Sequence, residues 1–135
     1  ICLGMQLLFE SSKEGSLPGI GLLPGLSLKF PSELAGNKLR VPHMGWNVIN
    51  KTKHSSSLSA RYDSHRFYFV HSYAARKWEL DPHEMLAAPK VSWANHGEDF
   101  VAAVENGPLW ATQFHPEKSG EAGLTLLANW IATIR

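Results

Sequence analysis

The sequence holds a single cysteine, Cys2, so no disulfide can form within the chain. That excludes a disulfide-stapled scaffold and fits a reducing compartment. Neither sign of charge is in excess: 13 Lys and Arg stand against 12 Asp and Glu, a formal +1. Nucleic-acid binders usually carry a basic surplus, so nothing here points to a polyanion partner. Long hydrophobic runs are also missing. The apolar stretches break within a few residues, well short of the roughly 20 that cross a bilayer. No basic segment leads into an apolar core and cleavage site, as a signal peptide would require. A cytoplasmic location is therefore expected, or an organellar one if a targeting segment precedes Ile1. The spacings CxxC and HExxH do not occur, nor do a phosphate loop or a dinucleotide fingerprint, so neither metal nor cofactor is expected.

What is present describes one ordered domain, or part of one. Hydrophobic residues make up 44%, with 11 glycines and 8 prolines to supply turns. Residues 3–11, LGMQLLFES, favour a helix that buries Leu3, Leu7 and Phe9, with Gln6 and Glu10 on a more polar face. Ser12 to Gly25, rich in Gly and Pro, reads as loop. LSLKF (26–30) alternates as a strand does. RFYFVHSY (66–73), aromatic and β-branched, is the strongest strand signal and ends in polar residues able to line a site. Between them lies the compact VPHMGWNVI (41–49). SSSLS (55–59) reads as loop. Asp81-Pro82-His83-Glu84 has the cap, first-turn proline and third-position glutamate of a helix running to about Ala88.

VSWA (91–94), FVAAV (100–104) and LWATQF (109–114) are three strands separated by Asn95-His96-Gly97 and Asn106-Gly107. Such short connections predict an antiparallel meander within a mixed sheet. A last helix, Gly120 to Thr133, is expected to dock through Leu124, Leu127, Trp130, Ile131 and Ile134. The fold class is α/β.

Cys2 stands directly before a predicted helix, where free backbone N–H groups favour a thiolate. Gly4 would permit close approach of a backbone or substrate. A lone free thiol is nonetheless more often a packed structural residue. A nucleophilic thiol needs a base, and the base needs an acceptor on its second ring nitrogen. His115 and Glu117, in Gln113-Phe114-His115-Pro116-Glu117, supply that pair just after a strand. Taken alone, an HxE spacing is weak. His43 and His71 are lesser candidates. His54 and His65 fit solvent-facing positions, and His83 a helix first turn.

Four segments in order, ICLGMQLLFESS, VPHMGWN, RFYFVHSY and ATQFHPEKSG, resemble the class I glutamine amidotransferases, specifically the glutaminase subunit or domain of imidazole glycerol phosphate synthase. The resemblance runs the length of the chain. CLG and FHPE alone would indicate the wider class; PHMGWN and HPEKSG narrow it. It implies Cys2 as nucleophile, His115 as base and Glu117 as its orienter. Leu3 would offer an oxyanion-hole N–H, with Gly4, Gln6, His71, Ser72 and Tyr73 about the substrate L-glutamine. Pro42, Met44, Trp46, Asn47, Tyr68 and Lys118 would lie at or near a partner interface. Trp46 and Tyr68 are equally readable as packing residues, and Lys118 as a solvated charge.

The implied partner is a (β/α)8 cyclase, separate or fused, that receives ammonia through a tunnel and forms imidazole glycerol phosphate in histidine biosynthesis. The implied fold is a three-layer α/β fold with a mixed sheet. Relatives carry N-terminal core strands and an oxyanion loop ahead of this segment. The chain thus reads as the C-terminal portion of one amidotransferase domain, beginning inside the nucleophile elbow. On that reading, the isolated piece is expected to fold poorly and to show little activity. Rival readings are an N-terminal-nucleophile amidotransferase, which would need Cys2 at the terminus, another cysteine hydrolase of related fold, and a non-catalytic docking module.

Overall fold

The computed structural model describes residues 1–49, 62, 64–76 and 89–134. The expected helix at 81–88, the loop at 55–59, His54 and His83 lie outside the described residues.

The chain enters helix α1 (Leu3–Leu8) and passes straight into strand β1 (Phe9–Ser12). β1 pairs in parallel with β2 (Leu23–Lys29), and a later short strand (Tyr73–Ala74) pairs antiparallel with β2. This sheet is mixed, as expected. A small hairpin follows from β3 (Glu33–Leu34) and β4 (Asn37–Lys38). β5 (His43–Val48) and β6 (Arg66–His71) form an antiparallel ribbon in the register His43↔His71 to Val48↔Arg66. The short strand Tyr73–Ala74 is β7.

The predicted meander is present, but as a separate and wholly antiparallel sheet, not within the mixed one. β8 (Lys90–His96), β9 (Glu98–Asn106) and β10 (Leu109–Thr112) pair antiparallel in the order β10-β9-β8. Gly97 and Gly107 make its turns with φ of 76° and 58°, values that L side chains rarely adopt. β9 is buried from Phe100 to Glu105 and feeds both core clusters. Phe100 and Ala102 join Phe30, Phe67, Phe69, Phe114 and Leu126. Val101 and Val104 join Met5, Phe9, Leu23 and Ala111.

Two sequence expectations need correction. The first helix stops at Leu8, and burial along the segment is as expected at Phe9 and Glu10 but opposite at three positions: Leu3 and Leu7 are 57% and 51% exposed, whereas Gln6 is 5% exposed. Met5 and Phe9 fill the core position, and Gln6 can be buried because its amide is hydrogen-bonded. The C-terminal helix α2 (Gly120–Thr133) has the predicted limits but docks through Gly123 and Leu126, leaving Leu124, Ile131 and Ile134 exposed. Gly123 explains the rotation. A Cβ there would come within 1.8 Å of the Pro116 carbonyl oxygen, so this turn of the helix lies directly on the preceding loop.

Candidate active site

Cys2 sits at the entrance to α1 with φ 48° and ψ −108°, a strained conformation for a residue with a Cβ. Its backbone holds it there from both sides. The Cys2 N–H donates to the Thr112 carbonyl at the end of β10 (2.7 Å), and its carbonyl accepts from the N–H groups of Met5 and Gln6. The side chain is half-buried. Its thiol lies 3.8 Å from the Val70 carbonyl, and Gln113 Nε2 donates to Sγ at 3.5 Å. Burial pushes the thiol above its ordinary pKa. The Leu3 N–H and the Gln113 amide pull the other way, and the Glu117 carboxylate adds to the rise.

His115 comes from the far end of the chain to the same strand. Its N–H donates to the Tyr68 carbonyl (2.9 Å), two residues before the Val70 carbonyl that faces the thiol. Carbonyls two apart on a strand point to the same side, so one edge of β6 holds both groups. Ser119 ties the turn down: its Oγ donates to the His115 carbonyl at 2.6 Å and accepts the Tyr68 N–H at 2.9 Å. Pro116–Lys118 forms a 3-10 turn, which returns the Glu117 Oε1 to 2.6 Å from His115 Nδ1. Glu117 is nearly half exposed. Its partial burial would raise its pKa, but hydrogen bonds from the His115 ring and a backbone N–H outweigh it and leave the carboxyl below its ordinary value.

The other expected site residues divide. Gln6 Nε2 donates to the Tyr73 carbonyl (2.9 Å) and to Gln113 Oε1 (3.1 Å). His71 is 6% exposed, with Nδ1 2.9 Å from the same Tyr73 carbonyl. The carbonyl of Ser72 accepts the Phe30 N–H. A Cβ at Gly4 would meet no protein atom within 4 Å, so no neighbouring backbone requires this glycine. A cavity of about 550 Å³ is lined by Leu3, Gln6, Leu7, Glu14, Leu17 and Gly19 among others. His71, Ser72 and Tyr73 are not in its lining, and reach it only through Gln6.

Of the partner-facing candidates, Met44 and Trp46 are 54% and 52% exposed. Trp46 meets the Tyr68 ring edge-on at 5.8 Å, and Lys118 Nζ lies 6.0 Å from that ring. Pro42 is partly buried. Asn47 turns inward, donating to the Asn95 carbonyl (2.7 Å) and lying 3.3 Å from His43 Nε2.

Three contributors escaped the sequence reading. Gln113 and Ser119 lie within the quoted ATQFHPEKSG segment, but nothing in their spacing assigns them a contact. Glu14 fell in a stretch read as loop, and is the one charged residue lining the cavity among the described residues. Among the described residues no cluster of His, Cys, Asp and Glu is arranged to hold a metal ion, and no helix is long and apolar enough to cross a membrane.

The family model for "Glutamine amidotransferase class-I" matches residues 1–134. Relatives named imidazole glycerol phosphate synthase subunit HisH are 49% identical over 136 residues in Nocardia farcinica and 49% over 139 in Thermobifida fusca, each match covering 99% of this chain. The corresponding protein of Leifsonia xyli is 50% identical over 136 residues. The chain spans 62% of the length of each of these relatives. The strained cysteine, the His–Glu pair and the match over residues 1–134 agree: the chain belongs to the class I glutamine amidotransferase family.

Proposed function

We propose that the chain carries the catalytic centre of a glutaminase that hydrolyses L-glutamine to glutamate and ammonia, with Cys2 as nucleophile, His115 as general base and acid, and Glu117 as the orienting carboxylate. The observation that carries this reading is the shared edge of β6. There, two carbonyls in one strand hold the Cys2 thiol and the His115 backbone beside each other.

Each step follows from the local chemistry. Burial keeps the thiol protonated at rest, so the thiolate forms as His115 takes the proton. Glu117 accepts from Nδ1–H, which leaves Nε2 as the basic nitrogen and stabilises the imidazolium. Sulfur attacks the side-chain amide carbon, and the negative charge moves to the carbonyl oxygen. The Leu3 N–H, already directed toward Sγ, stabilises that oxygen. His115 returns its proton to the amide nitrogen as the C–N bond breaks, releasing ammonia and leaving a glutamyl thioester. Water attacks the thioester with His115 again as base, and glutamate leaves with Cys2 restored.

The cavity at Leu3 and Gln6 receives the substrate. Glu14, its one charged lining residue among the described residues, is placed on this reading to face the α-ammonium group of glutamine. Gln6 lines the cavity too and links it to the Tyr73 carbonyl, and through that carbonyl to His71. The relatives are named as subunits of imidazole glycerol phosphate synthase, which supports delivery of the ammonia to a cyclase partner in histidine biosynthesis. Met44, Trp46, Tyr68 and Lys118 form the docking face on this reading.

The test is covalent. A glutamine-analogue chloroketone is expected to add one label at Cys2, with glutamate release lost in Cys2→Ala and labelling slowed in His115→Ala. Label found elsewhere, or glutamate release that survives Cys2→Ala, would falsify the assignment.

A further inference from the structure

The mechanism assigns no proton-transfer step to a buried histidine pair. His43 and His71 are each 6% exposed, with His43 Nδ1 2.9 Å from His71 Nε2. The proton positions follow from the partners. The Tyr73 carbonyl can only accept, so His71 carries its hydrogen on Nδ1. In the neutral ring Nε2 must then accept, so His43 donates from Nδ1. His43 Nε2 is left to accept from the Asn47 amide at 3.3 Å. On the far side of the Tyr73 carbonyl the directions are fixed as well. Both amide protons of Gln6 are used, one on that carbonyl and one on Gln113 Oε1, and Gln113 donates in turn to Cys2 Sγ.

We propose that His43 and His71 are positioning residues: they hold the Tyr73 carbonyl and, through it, the Gln6 amide in the orientation that receives glutamine, and they join the Asn47 end of β5 to the nucleophile by one continuous hydrogen-bond chain. This rests on the glutaminase reading. Neither imidazole reaches the thiol directly, so neither transfers its proton. Their work is directional. The Tyr73 carbonyl accepts from both His71 and Gln6, one on each lone pair, and with every other donor assigned the network admits a single orientation for each amide and ring. Stacking reinforces it: the His43 ring lies between Phe69 (centroids 4.9 Å apart) and His96 (4.3 Å), and His96 Nε2–H is anchored on the Arg40 carbonyl at 2.6 Å. Burial also pushes both rings toward the neutral form that the chain requires: His43 to about 3, with help from His71 and His96, and His71 to about 4.

The experiment is saturation kinetics of Cys2 inactivation by the glutamine-analogue chloroketone on the intact protein. His43→Phe keeps the ring volume and stacking but removes both hydrogen bonds. It is expected to raise the half-saturating concentration about tenfold, the worth of one lost buried hydrogen bond. The maximal inactivation rate should stay within about threefold, since acid–base catalysis by the His115–Glu117 pair lies outside the chain. His43→Asn places an amide donor near the Nδ1 position and should recover most of the affinity. Unchanged half-saturation in His43→Phe, or a His43→Asn variant as weak as the phenylalanine, would overturn the proposal.

A second measurement needs no variant. Ring 15N shifts of the 15N-enriched protein, before any reaction with the chloroketone, are expected to show both His43 and His71 neutral and protonated at Nδ1. An Nε2–H tautomer at either ring would overturn the proposal too. A wild-type protein with these tautomers that does not react with the chloroketone would instead remove the glutaminase reading, and with it the substrate-positioning role.

Discussion

Glu117 is the residue whose chemistry is most exposed to test, because its carboxylate is nearly half in solvent yet held 2.6 Å from His115 Nδ1. In Glu117→Gln the amide can still accept the hydrogen bond, but it no longer stabilises an imidazolium. Glutamine turnover is expected to fall about 100-fold with KM little changed, at the low end for loss of acid–base assistance because water can partly replace an exposed partner. Steady-state glutamate release measures it; an unchanged turnover would remove Glu117 from the machinery. Gly123 supports the same turn from behind. A methyl group there would collide with the Pro116 carbonyl, so Gly123→Ala is expected to cost about 1–3 kcal/mol of stability, read as a lowered melting temperature. Cys2, His115 and Glu117 could be singled out in the sequence because the lone cysteine and the FHPE run sit in motifs that resemble the family; the HxE spacing by itself was weak. Gln113 was not. Its contact with Cys2 spans 111 positions, and a glutamine at a strand end carries no local mark of such a partner.

At the scale of elements, the β5–β6 ribbon joins two rings with depressed pKa values across one register pair, His43↔His71. The sign of the linkage follows. Unfolded histidines protonate near pH 6.5, whereas the folded rings resist until about 4 for His71 and about 3 for His43. Between those values the unfolded chain binds more protons. The stability contributed by the neutral pair is therefore complete above about pH 6.5 and is lost as pH falls toward 3, at roughly 1.4 kcal/mol per pKa unit for each ring. Denaturant midpoints between pH 7 and pH 4 should fall steeply, and the slope should flatten in His43→Asn. A slope unaltered by the variant would mean other groups dominate. β6 and the three meander strands were readable, since alternation and glycine turns act locally; β1 was read as helix, β2 begins within the stretch read as loop, and β3, β4 and β5 carry too short or too mixed a pattern to read as strands. The face of α2 was not. Leu124, Ile131 and Ile134 give a consistent helical stripe, yet the backbone approach that Gly123 permits fixes which side faces the sheet. α1 failed for a related reason. Leu3 and Leu7 looked like core, but the strand that follows and the partners of Gln6 set the rotation.

Across the whole molecule, β6 is the common wall of two surfaces. One edge holds the Cys2 thiol and the His115 backbone. Its outer face, with β5, presents Tyr68 beside Met44 and Trp46, with Lys118 extending from the turn that carries Glu117. Met44 and Trp46 keep about half their surface in solvent while five phenylalanines and Met5 are fully buried, and two large apolar side chains side by side at the surface suit a docking face. On the proposed function this face meets the cyclase, so contact there lies one strand from the nucleophile. Trp46 is the anchor to test, being aromatic, central to the cluster and buttressed edge-on by Tyr68. Trp46→Ala is expected to raise the Kd for the cyclase about 30-fold, the effect of truncating a strong aromatic anchor, while the protein's melting temperature changes little because the side chain is half exposed. Calorimetric titration of the partner measures the first and thermal unfolding the second. A lowered melting temperature with an unaltered Kd would make Trp46 a packing residue of the ribbon and move the docking face elsewhere.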